Sequence, residues 1–294
     1  MIFKGSCTAI VTPFTKDNKH INYQSLKRLL DFQLQNDTQA LTILGTTGEN
    51  ATLTFKEKVE LVSFVTSYVK KRVPIIVGSG SNNTKEACKL ARKFTHLGAD
   101  ALLVVSPYYN KCTNKSLVAH YSKIASCTNL PIIIYNVPSR TGVNIQPNVV
   151  YELSKIKNIV GIKEASGNII QSQQILNLVD KNRFSVYCGD DSLLLPMLSI
   201  GAAGVIGVTS NAYPTQIQQI CSLFENKHIE EAKTLHLKMF PIMQAMFLEI
   251  NPIPIKNALN LLGFNVGGTR LPLDITMQNH NLEILKHEML QLNH

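Results

Sequence analysis

The stretch Ile159-Val160-Gly161-Ile162-Lys163-Glu164-Ala165-Ser166 combines β-branched apolar residues with one lysine near its end. Because side chains alternate along a strand, Gly161, Lys163 and Ala165 share one face. The two small neighbours leave room around the lysine, and loss of hydration there favours its uncharged, nucleophilic form. Such an amine forms Schiff bases with ketones. For this stretch alone, a strand-end lysine that reaches to solvent is the competing interpretation.

Seven further apolar runs alternate with helical patterns on either side of this stretch. Asn22 and Asn83 are predicted helix N-caps, and Thr54 with Glu57 forms a capping box. Eight β-α units without a break in composition favour the α/β class and a closed (β/α)8 TIM barrel. An open doubly wound sheet is the alternative, but no convincing phosphate fingerprint accompanies it. The predicted strands cover residues 6–14, 40–44, 73–77, 101–105, 131–137, 159–163, 184–188 and 204–208.

The chain after the eighth unit reads as helical, over roughly residues 230–249, 255–262 and 282–292. The prolines of Asn251-Pro252-Ile253-Pro254 separate the first of these helices from the second. We therefore expect a catalytic barrel at residues 1–225 and an extension of three additional C-terminal helices at 226–294. The extension is expected to cover the barrel side or to form an oligomer contact.

Composition excludes several classes of protein. The 294 residues, 45% of them hydrophobic, suit one large domain or two modest ones. No apolar run is long enough for a transmembrane helix, and the first residues lack the pattern of a signal peptide, so a cytoplasmic protein is expected. Six scattered cysteines and eight histidines show no metal-binding spacing, which indicates free thiols and no metal site.

The formal net charge of +9 comes from basic residues that are dispersed along the sequence. Only Lys70-Lys71-Arg72 forms a short basic run, and no aromatic residues are interleaved with it. A general surface bias is therefore favoured over nucleic-acid binding, while a few cations focused on a small anionic substrate remain compatible with this charge.

Polar residues follow most of the predicted strands, where (β/α)8 barrels carry their active sites. Gly45-Thr46-Thr47-Gly48 offers backbone N–H groups and two hydroxyls as a cradle for a carboxylate, with a simple tight turn as the alternative. Tyr135, one strand before Lys163 at a similar height, is placed to move protons, although a core tyrosine is equally compatible. Arg140 is a candidate carboxylate clamp or the member of a surface ion pair.

Three motifs carry a resemblance to a known family. The stretches Gly45-Thr46-Thr47-Gly48-Glu49, Tyr135-Asn136-Val137-Pro138-Ser139-Arg140-Thr141-Gly142 and Gly161-Ile162-Lys163-Glu164-Ala165-Ser166-Gly167 resemble the signatures of the dihydrodipicolinate synthase family. These enzymes are class I, Schiff-base pyruvate lyases on (β/α)8 barrels. The resemblance implies condensation of pyruvate with L-aspartate 4-semialdehyde, the committed step towards diaminopimelate and lysine, without metal or pyridoxal phosphate.

The resemblance also implies a role for individual residues. Lys163 would form the pyruvate Schiff base, and Tyr135 would shuttle protons with Thr47 and Tyr109. In this family that tyrosine crosses from a neighbouring subunit, which implies at least a dimer and usually a homotetramer built as a dimer of dimers. The remaining pocket positions are Thr46 and Thr47 for the pyruvate carboxylate, Arg140 for the carboxylate of the second substrate, and the backbones of Gly189 and Ile206.

A second site is implied by the same likeness. Many members of the family are inhibited by lysine at the dimer interface, and Asn82, Glu86 and Tyr108 match that site. Phe55 and Lys58, however, stand where inhibited bacterial enzymes often carry histidines. The Lys58 cation would face the ammonium groups of the effector, so weak or absent inhibition is expected.

Two other functions compete with the synthase. Another pyruvate aldolase of the same family, such as N-acetylneuraminate lyase or a 2-keto-3-deoxy sugar-acid aldolase, is disfavoured by the double threonine and by Arg140. A sugar substrate would prefer hydroxyl partners over an arginine. A non-catalytic barrel that acts as a binding or regulatory protein is distinguished by whether Lys163 reacts with pyruvate.

Overall fold

A computed structural model describes residues 1–273 and 276–292 of the chain. Its eight parallel strands pair in sequence order and close into a barrel, because β1 pairs with both β2 and β8. This confirms the predicted (β/α)8 TIM barrel. The strands are β1 (Gly5–Ala9), β2 (Ala40–Ile43), β3 (Ile75–Gly78), β4 (Ala101–Val105), β5 (Ile132–Asn136), β6 (Ile159–Glu164), β7 (Ser185–Cys188) and β8 (Gly204–Gly207).

The first strand is shorter than predicted. The Ile10 N–H still donates to the Thr42 carbonyl of β2, but Phe14 has left the barrel, since its N–H donates to the carbonyl of Val266 and it bridges to Ile21. Contact with a distant segment therefore overrides the apolar pattern that extends the strand in the sequence.

Helices follow every strand and cover the barrel. The predicted caps are formed: Asn22 accepts a hydrogen bond from the Ser25 N–H, Thr54 and Glu57 make the reciprocal capping box, and Asn83 caps the third helix. The barrel helices are α1 (Tyr23–Gln35), α2 (Phe55–Val69), α3 (Thr84–His96), α4 (Asn114–Ala125), α5 (Pro138–Thr141), α6 (Pro147–Ser154), α7 (Ile169–Leu178), α8 (Leu194–Ser199) and α9 (Pro214–Glu225).

Three further helices follow the barrel, as predicted: α10 (Ile229–Ala245), α11 (Ile253–Leu261) and α12 (Asn279–Gln291). Helix α10 packs against α9 and α12, and α11 packs against α12. The division of the chain into a barrel at residues 1–225 and an extension at 226–294 stays a prediction. Every helix in the described part of the chain is too short or too polar to traverse a lipid bilayer.

The apolar core has two layers. A large layer lies between the strands and the helices, and a small one fills the barrel interior. Inside the barrel the Tyr187 ring stacks on Phe3, with ring centroids 4.4 Å apart, and its hydroxyl donates to the Phe3 carbonyl. Because Phe3 precedes β1, this pair fills the amino-terminal end of the barrel. The interior space that remains lies towards the carboxyl ends of the strands.

Candidate active site

Lys163 lies inside the barrel near the carboxyl end of β6, with 6% of its surface exposed. It is in register with Tyr135 on β5 and with Tyr187 on β7. The Lys163 Nζ lies 4.6 Å from the centroid of the Tyr135 ring. The structure therefore brings together the amine and the phenol that the sequence places at the same height on neighbouring strands.

Glu164 points to the opposite face of the same strand. Its buried carboxylate accepts hydrogen bonds from the side chains of Asn136 and Gln171 and from the Ser166 N–H. These donors satisfy the buried charge, as a buried carboxylate requires. The alternation predicted for the strand therefore holds, with Lys163 inside the barrel and Glu164 outside it.

The absence of a side chain at Gly189 makes room for Lys163. A Cβ atom at this position would lie 2.6 Å from the Ala165 Cβ and 3.1 Å from the Lys163 Cε. The Gly189 N–H also donates to the Glu164 carbonyl, which fixes the loop after β7 against the end of β6. Gly189 therefore contacts the lysine stem directly, and Ile206 belongs to the same interior cluster as Tyr135.

The groups around the amine are largely uncharged. Burial raises the pKa of the Cys7 thiol to about 12, although its hydrogen bond with Thr42 and the charge of Lys163 act in the opposite direction. Burial likewise raises the pKa of Cys188, which also lies within electrostatic reach of Lys163. Among residues 1–273 and 276–292, no carboxylate lies within ion-pair distance of this lysine. Inside the barrel the amine therefore has the neutral thiol of Cys7 and the Tyr135 ring near it, whereas Cys188 lies on the outer face of the sheet with Glu164.

The threonine motif forms a compact turn after β2. The Gly48 N–H donates to the Gly45 carbonyl at 3.2 Å, and the Glu49 N–H donates to the Thr46 carbonyl at 3.0 Å. Thr46 is half-buried, whereas Thr47 is buried. The turn therefore holds the two hydroxyls in fixed positions at the carboxyl end of the barrel.

A cavity of about 440 Å³ opens at this end of the barrel, and Thr46, Tyr135 and Arg140 line it. Arg140 is exposed on the short helix α5, and its guanidinium donates to the Asn251 carbonyl at 3.3 Å. Lys163 lies outside the cavity lining, buried next to Tyr135. The cavity thus joins a hydroxyl, a phenol and a guanidinium beside the buried amine.

The residues that match the family's lysine site lie along the same cavity. Glu86 and Tyr108 line it, and so does Lys58, which departs from the family's pattern. Burial lowers the pKa of Lys58, and the charge of Glu86 opposes this effect. Asn82 does not line the cavity, but its side chain donates to the Tyr108 carbonyl at 3.2 Å and holds the loop after β4.

Tyr109 is 93% exposed and adopts a φ of 71°, a left-handed conformation that bulky residues rarely take. It lies on the loop between β4 and α4. A single chain therefore does not bring Tyr109 to Lys163, in contrast to Tyr135.

Sequence reasoning missed Asn251, which joins two of the predicted residues. Its side-chain amide donates to the Thr47 Oγ1 at 3.0 Å, and its carbonyl accepts the bond from Arg140. The sequence identifies Asn251 only as part of the segment that separates two helices. No local signal could reveal the contact, because Thr47 and Asn251 are separated by 204 positions.

The described part of the chain contains no cluster of three or more His, Cys, Asp or Glu side chains that could hold a metal ion. The site is instead built from an amine, hydroxyls, a phenol and a guanidinium. Such a set suits carbonyl chemistry on an anionic substrate, because the amine attacks the carbonyl while the other groups bind carboxylates and move protons.

Comparisons with known proteins identify the family of this chain. The dihydrodipicolinate synthetase family matches residues 2–290. A 4-hydroxy-tetrahydrodipicolinate synthase of Caldicellulosiruptor saccharolyticus is 48% identical over 289 residues, which cover 98% of this chain and 97% of that protein. A lysine-bound dihydrodipicolinate synthase from Cyanidioschyzon merolae is 38% identical, with a TM-score of 0.96 and 99% of each chain covered. A monomeric dihydrodipicolinate synthase variant is 40% identical, with a TM-score of 0.96 and coverage of 99% of this chain and 97% of that chain. This chain therefore belongs to the dihydrodipicolinate synthetase family.

Proposed function

We propose that this protein condenses pyruvate with L-aspartate 4-semialdehyde through a lysine Schiff base. The product is 4-hydroxy-tetrahydrodipicolinate, and the reaction is the first committed step of diaminopimelate and lysine biosynthesis. The protein is then a carbon–oxygen lyase with a class I aldolase mechanism, working in the cytoplasm. One observation carries the proposal: in a chain of this family, a buried lysine amine lies 4.6 Å from the centre of a tyrosine ring.

Lys163 is the proposed nucleophile. Its uncharged Nζ attacks C2 of pyruvate, the carbonyl oxygen leaves as water, and a protonated imine remains. The imine withdraws electrons, so that the pyruvate methyl group loses a proton and becomes an enamine. The enamine carbon then attacks the aldehyde of the second substrate, whose oxygen takes up a proton. The amino group of that substrate displaces the Lys163 Nζ from C2, which closes the ring and frees the lysine. The barrel interior supports this chemistry because it surrounds the amine with neutral groups.

Tyr135 is the proposed proton donor and acceptor in these steps. Its register with Lys163 supports the role, since a group that transfers a proton must lie within reach of the reacting atoms. Thr47 of the same chain and Tyr109 of the partner subunit complete the proposed relay. This requires at least a dimer, and we propose a homotetramer built as a dimer of dimers. The exposed aromatic ring at position 109 supports a contact between subunits.

The carboxylates of the two substrates are assigned to different groups. Thr46 and Thr47 would hold the pyruvate carboxylate, and the exposed Arg140 would hold that of L-aspartate 4-semialdehyde, with Gly189 and Ile206 lining the pocket. Thr46 and Arg140 line the same cavity, which supports this arrangement. Asn82, Glu86 and Tyr108 are proposed to form a lysine site of weak affinity.

Steady-state kinetics with alternative second substrates test the proposal. The purified protein is assayed with pyruvate and L-aspartate 4-semialdehyde, and separately for cleavage of N-acetylneuraminate. We expect turnover only with the semialdehyde, and the loss of that turnover in Lys163→Ala. Cleavage of the sugar acid at a comparable kcat/KM would instead assign the protein to a different branch of the pyruvate lyases.

A further inference from the structure

A buried ion pair lies next to the threonine turn and outside the groups that the proposed reaction uses. The Lys256 Nζ lies 2.5 Å from the Glu49 Oε1, and each side chain is only 1% exposed. Lys256 is on α11, in the C-terminal extension, whereas Glu49 ends the Gly45-Thr46-Thr47-Gly48-Glu49 turn and lines the cavity. The pair therefore connects the extension to the predicted carboxylate cradle.

The surroundings of the pair are closed and balanced in charge. The Lys256 ammonium also donates to the Gly268 carbonyl at 2.7 Å and lies 4.1 Å from the centre of the Phe14 ring. The Arg270 N–H donates to the second oxygen of Glu49, and the Arg270 guanidinium pairs with Glu57 on α2. Two cations thus face two carboxylates. Burial, only partly opposed by Glu49, lowers the pKa of Lys256 to about 8.

The pair acts on the turn through the backbone of Glu49. This residue has a φ of 54°, in the left-handed region that a non-glycine residue adopts only when its surroundings hold it there. Its N–H donates to the Thr46 carbonyl and so closes the turn. A change in the side-chain anchor of Glu49 is therefore transmitted directly to Thr46.

A second anchor comes from the same short segment of the extension. Asn251, five positions before Lys256, donates to the Thr47 hydroxyl. Residues 251–256 thus hold the turn at two points, through Thr47 and through Glu49.

We propose that Lys256 and Glu49 are positioning residues that hold the Gly45–Glu49 turn in the geometry that binds the pyruvate carboxylate. The inference rests on the proposed function, because that function assigns the carboxylate to Thr46 and Thr47. Neither side chain is proposed to touch the substrate, because each is only 1% exposed. Their effect is exerted through the turn and is specific to pyruvate, since the second substrate is assigned to Arg140.

The variant Glu49→Gln tests this inference with the least change in shape. Its amide oxygen still accepts from the Arg270 N–H, but the charge that faces Lys256 is lost. We expect the KM for pyruvate to rise roughly tenfold or more, because a displaced turn binds the carboxylate less tightly, while kcat changes far less. A purely structural role would lower the amount of active enzyme, and hence kcat, without raising the KM.

The double variant Glu49→Gln/Lys256→Met separates positioning from stability. It leaves neither charge unpaired, so we expect its Tm to exceed that of Lys256→Met alone. The raised pyruvate KM should nevertheless persist, because the anchor is absent. A double variant with the pyruvate KM of the wild type, or Glu49→Gln with that KM, would overturn the inference. Lys233→Met, which breaks an exposed pair with Glu230 on α10, is the control and should keep the wild-type KM.

A separate measurement keeps the two proposals distinguishable. Reduction of the wild-type protein with borohydride in the presence of pyruvate tests the Schiff base at Lys163 independently of Lys256. Wild type that is not labelled refutes the proposed function. Labelled wild type, together with variants of unchanged pyruvate KM, refutes only the positioning role.

Discussion

Tyr135 and Lys163 are register partners across β5 and β6, and the lysine Nζ lies 4.6 Å from the centre of the tyrosine ring. The ring covers one side of the amine inside the barrel. Lys163 has a second tyrosine partner, Tyr187 on β7, but the hydroxyl of that residue donates to Phe3 at the amino-terminal end. The two tyrosines therefore offer a matched pair for separating proton transfer from packing.

Tyr135→Phe removes the phenol and keeps the ring. If Tyr135 transfers protons during Schiff-base formation, kcat should fall by roughly 10²- to 10⁴-fold. Tyr187→Phe, which removes a hydroxyl bonded to backbone, should change kcat by only a few-fold. Stopped and continuous assays at saturating pyruvate measure the kcat of each variant. Equal kcat values for the two variants would remove Tyr135 from the proposed mechanism.

Gly189→Ala introduces a methyl group where no space exists. The new Cβ would lie 2.6 Å from the Ala165 Cβ and 3.1 Å from the Lys163 Cε, so one of these groups must move. Overpacking of this kind destabilises by about 1–3 kcal/mol. We expect a lower Tm and, because the lysine is displaced, a slower rate of borohydride trapping with pyruvate. A trapping rate equal to that of the wild type would show that Gly189 does not constrain Lys163.

The sequence indicates the helix caps, the closed barrel and the approach of Tyr135 to Lys163, but not the contacts between the strand ends and the C-terminal extension. The caps at Asn22, Asn83 and Thr54 depend on residues two or three positions away, and all three form as predicted. The contact between Thr47 and Asn251 joins positions that only the closed barrel brings together. The burial of Lys256 is still harder to predict, because lysine is among the residues least often buried.

Stability should depend on pH through the buried lysine. The pKa of Lys256 falls from its ordinary value of 10.5 to about 8, chiefly through burial. Between these two values the native protein has released a proton that the unfolded chain retains, so stability from this group increases as the pH rises. This difference between the two pKa values corresponds to roughly 3 kcal/mol in the free energy of unfolding.

Denaturant unfolding at neutral pH and at about pH 10 measures this effect against the Glu49→Gln/Lys256→Met variant. Titrating groups common to both proteins cancel in the difference. We expect the wild type to gain stability relative to the variant at the higher pH. A difference that stays constant or falls would contradict the lowered pKa of Lys256.

L-Lysine should inhibit the enzyme weakly or not at all. Lys58 lines the cavity beside Glu86, so a cation already faces the carboxylate that would bind the effector. Initial rates at increasing L-lysine concentrations test this expectation. Lys58→His, which brings a histidine to this position, should become more sensitive than the wild type. Submillimolar inhibition of the wild type would contradict the expectation.

The Schiff base at Lys163 is the central claim, and reductive trapping tests it most directly. The protein is treated with borohydride with and without pyruvate, digested, and analysed by mass spectrometry. We predict a reduced pyruvate adduct on Lys163 that depends on pyruvate and is absent from Lys163→Ala. No adduct, or an adduct on another lysine in its place, would contradict the account.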